Sequence, residues 1–195
     1  SLYVIFAIDR AGIVGNDGET HQVAFDISFL RLIPNMILFA PRDAKTLEFA
    51  VNFAYENDRG PIAFRYPRGA FDELAYEPTQ FEFAKGEILE ENSGDIVFLG
   101  YGAGVSRAIK TAKLLKSMPT IVDLRFIKPL DNELLLKLSN KKEWYVFSDS
   151  AKIGGVASAL REFCGENDLD VKIKSFEYED DFIIHGNTSD VERSL

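Results

Sequence analysis

The chain has 195 residues, of which 46% are hydrophobic and 27% charged, the ordinary balance of a globular protein. Its net charge of −9 disfavours nucleic acid as the main partner, and no apolar run approaches the ~18 residues that cross a bilayer, so neither nucleic acid nor membrane is expected as a partner. The single cysteine, Cys164, excludes an internal disulfide and a cysteine-rich metal site. The apolar start, Ser1 to Ile8, has no basic leader and no cleavage-site pattern, so it reads as a buried strand; a cytoplasmic location is the expectation. Charge is uneven. Residues 1–70 hold seven Lys and Arg against eight Asp and Glu, whereas residues 71–195 hold fifteen against twenty-three. Six of the seven cations in the first stretch are arginines, the residue suited to bidentate grip on phosphate or carboxylate.

In chain order, Leu2 to Ile8 predicts a strand covered on both faces. Asp9 to Gln22, with Gly12, Gly15 and Gly18, predicts a loop. Phe25 to Ile33 predicts a short helix ended by Pro34. Met36 to Ala40 is a second strand, Asp43 caps a helix carrying Leu47, Ala50, Val51 and Ala54 on one face, and Pro61 to Tyr66 is a third strand. The acidic stretch from Phe71 to Asn92 has weaker signals; Phe81-Glu82-Phe83 suggests an edge strand, and the domain junction belongs here.

A second alternating series follows. Strands are predicted at Ile96–Leu99, Thr120–Leu124, Trp144–Phe147 and Val171–Phe176. Helices are predicted after Gly104, after Pro129 and after Gly154-Gly155, with a terminal helix capped by Ser189. The expectation is an α/β chain of two parallel-sheet, three-layer domains with right-handed crossovers. Residues 1–72 form the first, 73–92 a linker and edge strand, and 93–195 the second. The first has too few elements to complete a doubly wound layer, so it is expected either to lack sequence on its N-terminal side or to be covered by a partner chain.

The densest site signal is the loop from Asp9 to Gln22. It follows a buried parallel strand, and ligands of such sheets bind at the strands' carboxyl ends. Arg10 can hold an anion there, and Asp17 and His21 place a carboxylate and an imidazole on the same loop. Spacing alone leaves open a plain surface loop with a structural histidine. Arg65-Tyr66-Pro67-Arg68-Gly69 closes another strand of the same sheet, so Arg10 and Arg68 are candidates to converge on one phosphate. Gly100-Tyr101-Gly102-Ala103-Gly104 reads as a tight strand-to-helix turn without a ligand, because Val105 stands where a dinucleotide fingerprint has its last glycine. His185 reads as structural or surface, and no metal-ligand cluster is evident.

The run Ala7 to Gln22 resembles the signature of the pyrimidine-binding domain of the 1-deoxy-D-xylulose-5-phosphate synthase family. Ile33-Pro34-Asn35-Met36, Ala40-Pro41-Arg42-Asp43 and Gly60 to Gly69 continue the likeness in order. Val122 to Asp131 and Phe182 to Gly186 are similar to the transketolase-type C-terminal domain. The resemblance implies a thiamine-diphosphate-dependent transferase that condenses pyruvate with D-glyceraldehyde 3-phosphate, with loss of carbon dioxide, to 1-deoxy-D-xylulose 5-phosphate. That product feeds isoprenoid, thiamine and pyridoxol synthesis. The resemblance further implies that Arg10 and Arg68 grip the aldehyde's phosphate, that Asp17 bonds a substrate hydroxyl, and that His21 assists proton transfer or holds pyruvate-derived oxygen.

The family's Gly-Asp-Gly…Asn motif for diphosphate and magnesium is not found in this sequence. Thiamine diphosphate and Mg2+ are therefore expected in the full-length enzyme and not on this piece, whose partner is the missing N-terminal part of the same enzyme, within a homodimer. The piece alone is expected to be inactive. Val23 stands where the family usually has glycine, which would displace the loop if that position needs positive φ or close approach. Two other readings are the β subunit of a 2-oxoacid dehydrogenase-type thiamine enzyme and a non-catalytic dimerisation domain.

Overall fold

The structure is a computed structural model, and it describes residues 3–14, 17, 21–183, 186 and 187. His185 and the expected Ser189-capped helix lie outside the described residues.

The first sheet has the order β1-β3-β2-β7. It comprises β1 (Ile5–Ile8), β2 (Ile37–Phe39) and β3 (Ile62–Arg65) in parallel, with β7 (Phe126–Lys128) antiparallel against β2. One face is covered by α2 (Ala44–Glu56), which buries Ala50 and Ala54 against Ile37, Phe39, Ile62 and Phe64. Asp43 starts that helix as its sequence predicts: its carboxylate accepts the Thr46 N–H at 2.7 Å, completing a capping box. The other face receives Ile27 from α1 (Asp26–Leu30). α1 stops short of Pro34 because its end tightens into i→i+3 hydrogen bonds, Leu32 to Phe29 and Ile33 to Leu30.

The second sheet has the order β4-β6-β5-β8-β9. The strands β5 (Ile96–Gly100), β6 (Thr120–Asp123), β8 (Glu143–Ala151) and β9 (Lys172–Tyr178) are parallel, and β4 (Glu87–Glu90) is antiparallel at the edge. α3 (Gly104–Ala112) covers one face, packing Val105 and Ile109 on Phe98, Ile121 and Phe147. α4 (Asn132–Leu138) and α5 (Val156–Glu166) cover the other with Leu135, Val156 and Leu160 on Val97, Leu99 and Val146. That core is continuous with Leu38, Ala40 and Ala63 of the first sheet, so both sheets share it.

Four expectations need correction. Both sheets are mixed, each taking one antiparallel edge strand, so neither is purely parallel. β1 is not covered on both faces: it is an edge strand among the described residues, with Ile5 and Phe6 about half exposed. Phe81-Glu82-Phe83 is not a strand. Phe81 and Phe83 are instead drawn into a cluster of rings around Phe126, and the edge strand lies at Glu87–Glu90. The strand at Thr120 ends at Asp123, and the chain turns through Arg125 (φ 52°) into β7, which crosses to the first sheet.

That crossing is held by a buried ionic cluster. Arg42, just after β2, pairs with Asp123 at 3.2 Å and with Glu87; Arg125 also bonds Glu87, and its Nη2 donates to Thr79 Oγ1 at 2.8 Å. Buried charges survive only when paired in this way.

Candidate functional site

β1 and β3 are neighbours in register, with Ile8 opposite Arg65. The pairing continues past the strands: the Tyr66 N–H donates to the Ile8 carbonyl and the Ala11 N–H to the Tyr66 carbonyl, each at 3.0 Å. The loops that leave these strands therefore start side by side at the carboxyl edge of the sheet. Arg10 turns the chain in the left-handed region (φ 59°), a conformation costing a non-glycine residue about 1–2 kcal/mol.

Three of the four expected site residues come together. Arg10 Nε donates to Asp17 Oδ2 at 3.1 Å, and Arg68 Nε forms an ion pair with the same oxygen at 3.1 Å. Two guanidinium groups from two loops thus meet at one anionic oxygen. The hydrogen bond to Asp17, then the Asp9 charge, hold the Arg10 pKa above its ordinary value. His21 lies further along the same loop and is exposed.

Beside Arg68 opens a cavity of about 530 Å³ between Pro67–Asp72 and the α3 residues Ser106, Arg107 and Lys110, with Asp149 and Tyr178 in its wall. A larger one, about 590 Å³, lies between α3 and β9 and is lined by neither Arg10 nor Arg68.

The residues that hold the loop were not anticipated from sequence. Arg65 is fully occupied away from any ligand: its guanidinium grips the Asp26 carboxylate at 2.8 and 3.0 Å and donates to the Val23 carbonyl at 2.8 Å and the Asp149 carbonyl at 2.9 Å. A charged residue closing the strand Ile62-Ala63-Phe64 is the signal that could have found this pair, since buried arginine demands an acid partner. Val23 is accommodated. It stays out of the left-handed region, bridges Ala11, and offers its carbonyl to the Gly12 N–H at 3.0 Å.

The glycines of the 100–104 turn answer to packing. A Cβ on Gly104 would sit 2.0 Å from the Phe147 carbonyl oxygen, and one on Gly100 would lie 2.5 Å from Val105 Cα. Cys164 is buried on the inner side of α5, and burial raises its thiol pKa. Among the described residues no three His, Cys, Asp or Glu side chains are grouped to hold a metal ion, and no helix is long and apolar enough to cross a membrane.

The family model for the transketolase pyrimidine binding domain matches residues 1–72, and that for the transketolase C-terminal domain matches residues 84–195. The chain belongs to the transketolase family. Its curated relatives are more particular: it is 59% identical over 197 residues to the 1-deoxy-D-xylulose-5-phosphate synthase of Aliarcobacter butzleri, a match covering 100% of this chain and 33% of that protein. It is 60% identical over 196 residues to the 1-deoxy-D-xylulose-5-phosphate synthase of a Nitratiruptor species, covering 98% and 32%. The chain thus spans about a third of the length of these relatives. A solved structure described as a split gene transketolase, inactive beta4 tetramer, superposes with a TM-score of 0.84 at 26% identity, over 98% of this chain and 61% of that one.

Proposed function

We propose that this chain is the part of a 1-deoxy-D-xylulose-5-phosphate synthase that receives the phosphorylated aldehyde. In this reading the whole enzyme condenses pyruvate with D-glyceraldehyde 3-phosphate, releasing carbon dioxide, as a cytoplasmic homodimer. The observation that carries the reading is the convergence of Arg10 and Arg68 on one oxygen of Asp17.

Both arginines are about half exposed, so their pairs with Asp17 are worth little in water. A phosphate monoester carries about −1.5 to −2 charge on three acceptor oxygens. It outcompetes a single carboxylate for two guanidinium forks, and Asp17, so released, stands ready to accept a hydrogen bond from a substrate hydroxyl. In this reading His21, exposed on the same loop, passes a proton at the reacting carbon or holds the pyruvate-derived oxygen.

The family is thiamine-diphosphate-dependent. In this reading thiamine diphosphate and its magnesium ion are held by the remaining part of the enzyme, where the Gly-Asp-Gly…Asn motif missing from this sequence is expected. The name of the split gene transketolase, an inactive assembly of chains similar to this one, supports the inactivity of such a piece by itself.

Two measurements test the reading. Incubated with thiamine diphosphate, Mg2+, pyruvate and glyceraldehyde 3-phosphate, the chain alone forms no product, and adding the remaining part of the enzyme restores it; product from the chain alone overturns the claim. In the complete enzyme, Arg68→Ala removes a charged hydrogen bond worth about 1.5–3 kcal/mol, so KM for the phosphorylated aldehyde rises roughly ten- to a hundredfold. Pyruvate decarboxylation changes much less. Equal loss of both removes the phosphate role.

A further inference from the structure

The loop that carries Arg10, Asp17 and His21 rests on the second sheet. Gly12, at φ 80°, lies against Asp149 in β8 so closely that a Cβ there would come within 2.7 Å of Asp149 Cβ and 2.9 Å of its Cγ. At the loop's other end the Ala24 carbonyl accepts the Ala151 N–H at 2.8 Å, two residues along the same strand. Between these points Gln22 Nε2 donates to the Ile183 carbonyl at 3.0 Å, and Ile13 packs with Ala24, Tyr178 and Ile183.

Asp149 is itself fixed from three sides. Its carboxylate pairs with Arg107 of α3, its Oδ1 lies 3.4 Å from the Tyr178 hydroxyl, and its carbonyl holds Arg65 at 2.9 Å. Arg65 leads directly into Tyr66-Pro67-Arg68. One residue of the second sheet therefore supports both loops that supply the converging arginines.

We infer that Asp149, held by Arg107 and Tyr178, is a positioning residue that sets the reach of Arg10 relative to Arg68 and so tunes the chain for a phosphorylated acceptor. This rests on the phosphate reading of those two arginines. A pair of guanidinium groups holds a phosphate well only at matched distances, and a displacement of about 1 Å distant from the chemistry can weaken a site by up to two orders of magnitude. Asp149 touches no substrate in this scheme; it acts through the Gly12 contact and through Arg65.

The test uses the complete cofactor-loaded enzyme with glyceraldehyde 3-phosphate and with unphosphorylated glyceraldehyde. Gly12→Ala wedges the loop off its seat, and Asp149→Asn keeps the shape but removes the charge that Arg107 pairs with. Each raises KM for the phosphorylated acceptor about tenfold, and in Asp149→Asn, which leaves the loop seated, KM for the unphosphorylated one and the rate of pyruvate decarboxylation stay within about twofold. Arg107→Lys, which keeps the charge, retains most of the preference.

In this chain alone, amide exchange of residues 9–14 and 21–24 quickens in Asp149→Asn while that of β5 and β8 does not change. Should Gly12→Ala fail to fold, Asp149→Asn, close to isosteric, decides. An unchanged ratio of the two KM values in Asp149→Asn overturns the inference. Arg68→Ala is run beside it. If Arg68→Ala shifts the ratio and Asp149→Asn does not, the phosphate reading stands and only this inference falls; if neither shifts it, both fall.

Discussion

Asp17 and Asp26 are both aspartates paired with arginines at the carboxyl edge of the first sheet, yet their surroundings set them apart. Asp17 meets Arg10 and Arg68 in partly open solvent, where the pairs can be exchanged for a ligand. Asp26 is buried and holds Arg65 through two hydrogen bonds, with water excluded. Replacing Asp26 with alanine leaves a guanidinium buried without its acid, a change that costs about 3–5 kcal/mol. Chemical denaturation of Asp26→Ala should show that loss, whereas Asp17→Ala should change stability by less than about 1 kcal/mol. A large loss in Asp17→Ala would mean that the exposed pairs hold the loop. That Arg10 and Asp17 stand on a strand-end loop was legible because a polar, glycine-rich run after an apolar strand announces one, and Arg68 because it follows a neighbouring strand of the same sheet. Asp26, Arg107 and Asp149 were not. Asp26 meets its arginine across 39 positions of sequence, Asp149 meets Arg107 across a similar span, and no local pattern records such a pairing.

At the scale of elements, the ordinary βα alternation was readable almost throughout, because amphipathic helices and short apolar strands carry their periods in sequence. α2 even starts at the predicted cap. Two edge elements were misread. Phe81 and Phe83 mimic a strand's alternation, but their spacing serves ring packing around Phe126 and Phe39. β7 is only three residues long and is paired by a strand from the other half of the chain, so nothing local marks it. What fixes its path is the Arg42–Glu87–Asp123–Arg125 cluster. Burial pushes the Glu87 carboxyl up, but the Arg42 hydrogen bond and the charges of Arg125 and Arg42 outweigh it and hold the pKa below its ordinary 4.5. A depressed carboxylate pKa stabilises the fold fully above the unfolded value and loses that contribution as pH falls through the folded one. Stability should therefore drop as pH falls below 4.5, and the difference between the native chain and Glu87→Gln should shrink over the same range. A difference that is flat with pH would remove Glu87 from the account.

For the whole molecule, the decisive fact is that the sheets share a core. Ile27, Leu38 and Ala63 of the first half belong to one apolar cluster with Trp144, Leu160 and Val97 of the second. Trp144 is fully buried in it and reports on it by fluorescence. Thermal unfolding followed by that fluorescence and by far-ultraviolet circular dichroism should give one coincident transition; two separated midpoints would show independent halves. The family models meet at the stretch between residues 72 and 84, where a boundary looks natural on paper. Yet β7, which comes from beyond that stretch, zips onto β2 before it. A scissile cut there would leave the front half with a raw flank and the rear half with an orphaned ribbon. Anyone shuffling modules between relatives would therefore have to transplant both halves together, since the interchangeable cassette is the clasped pair.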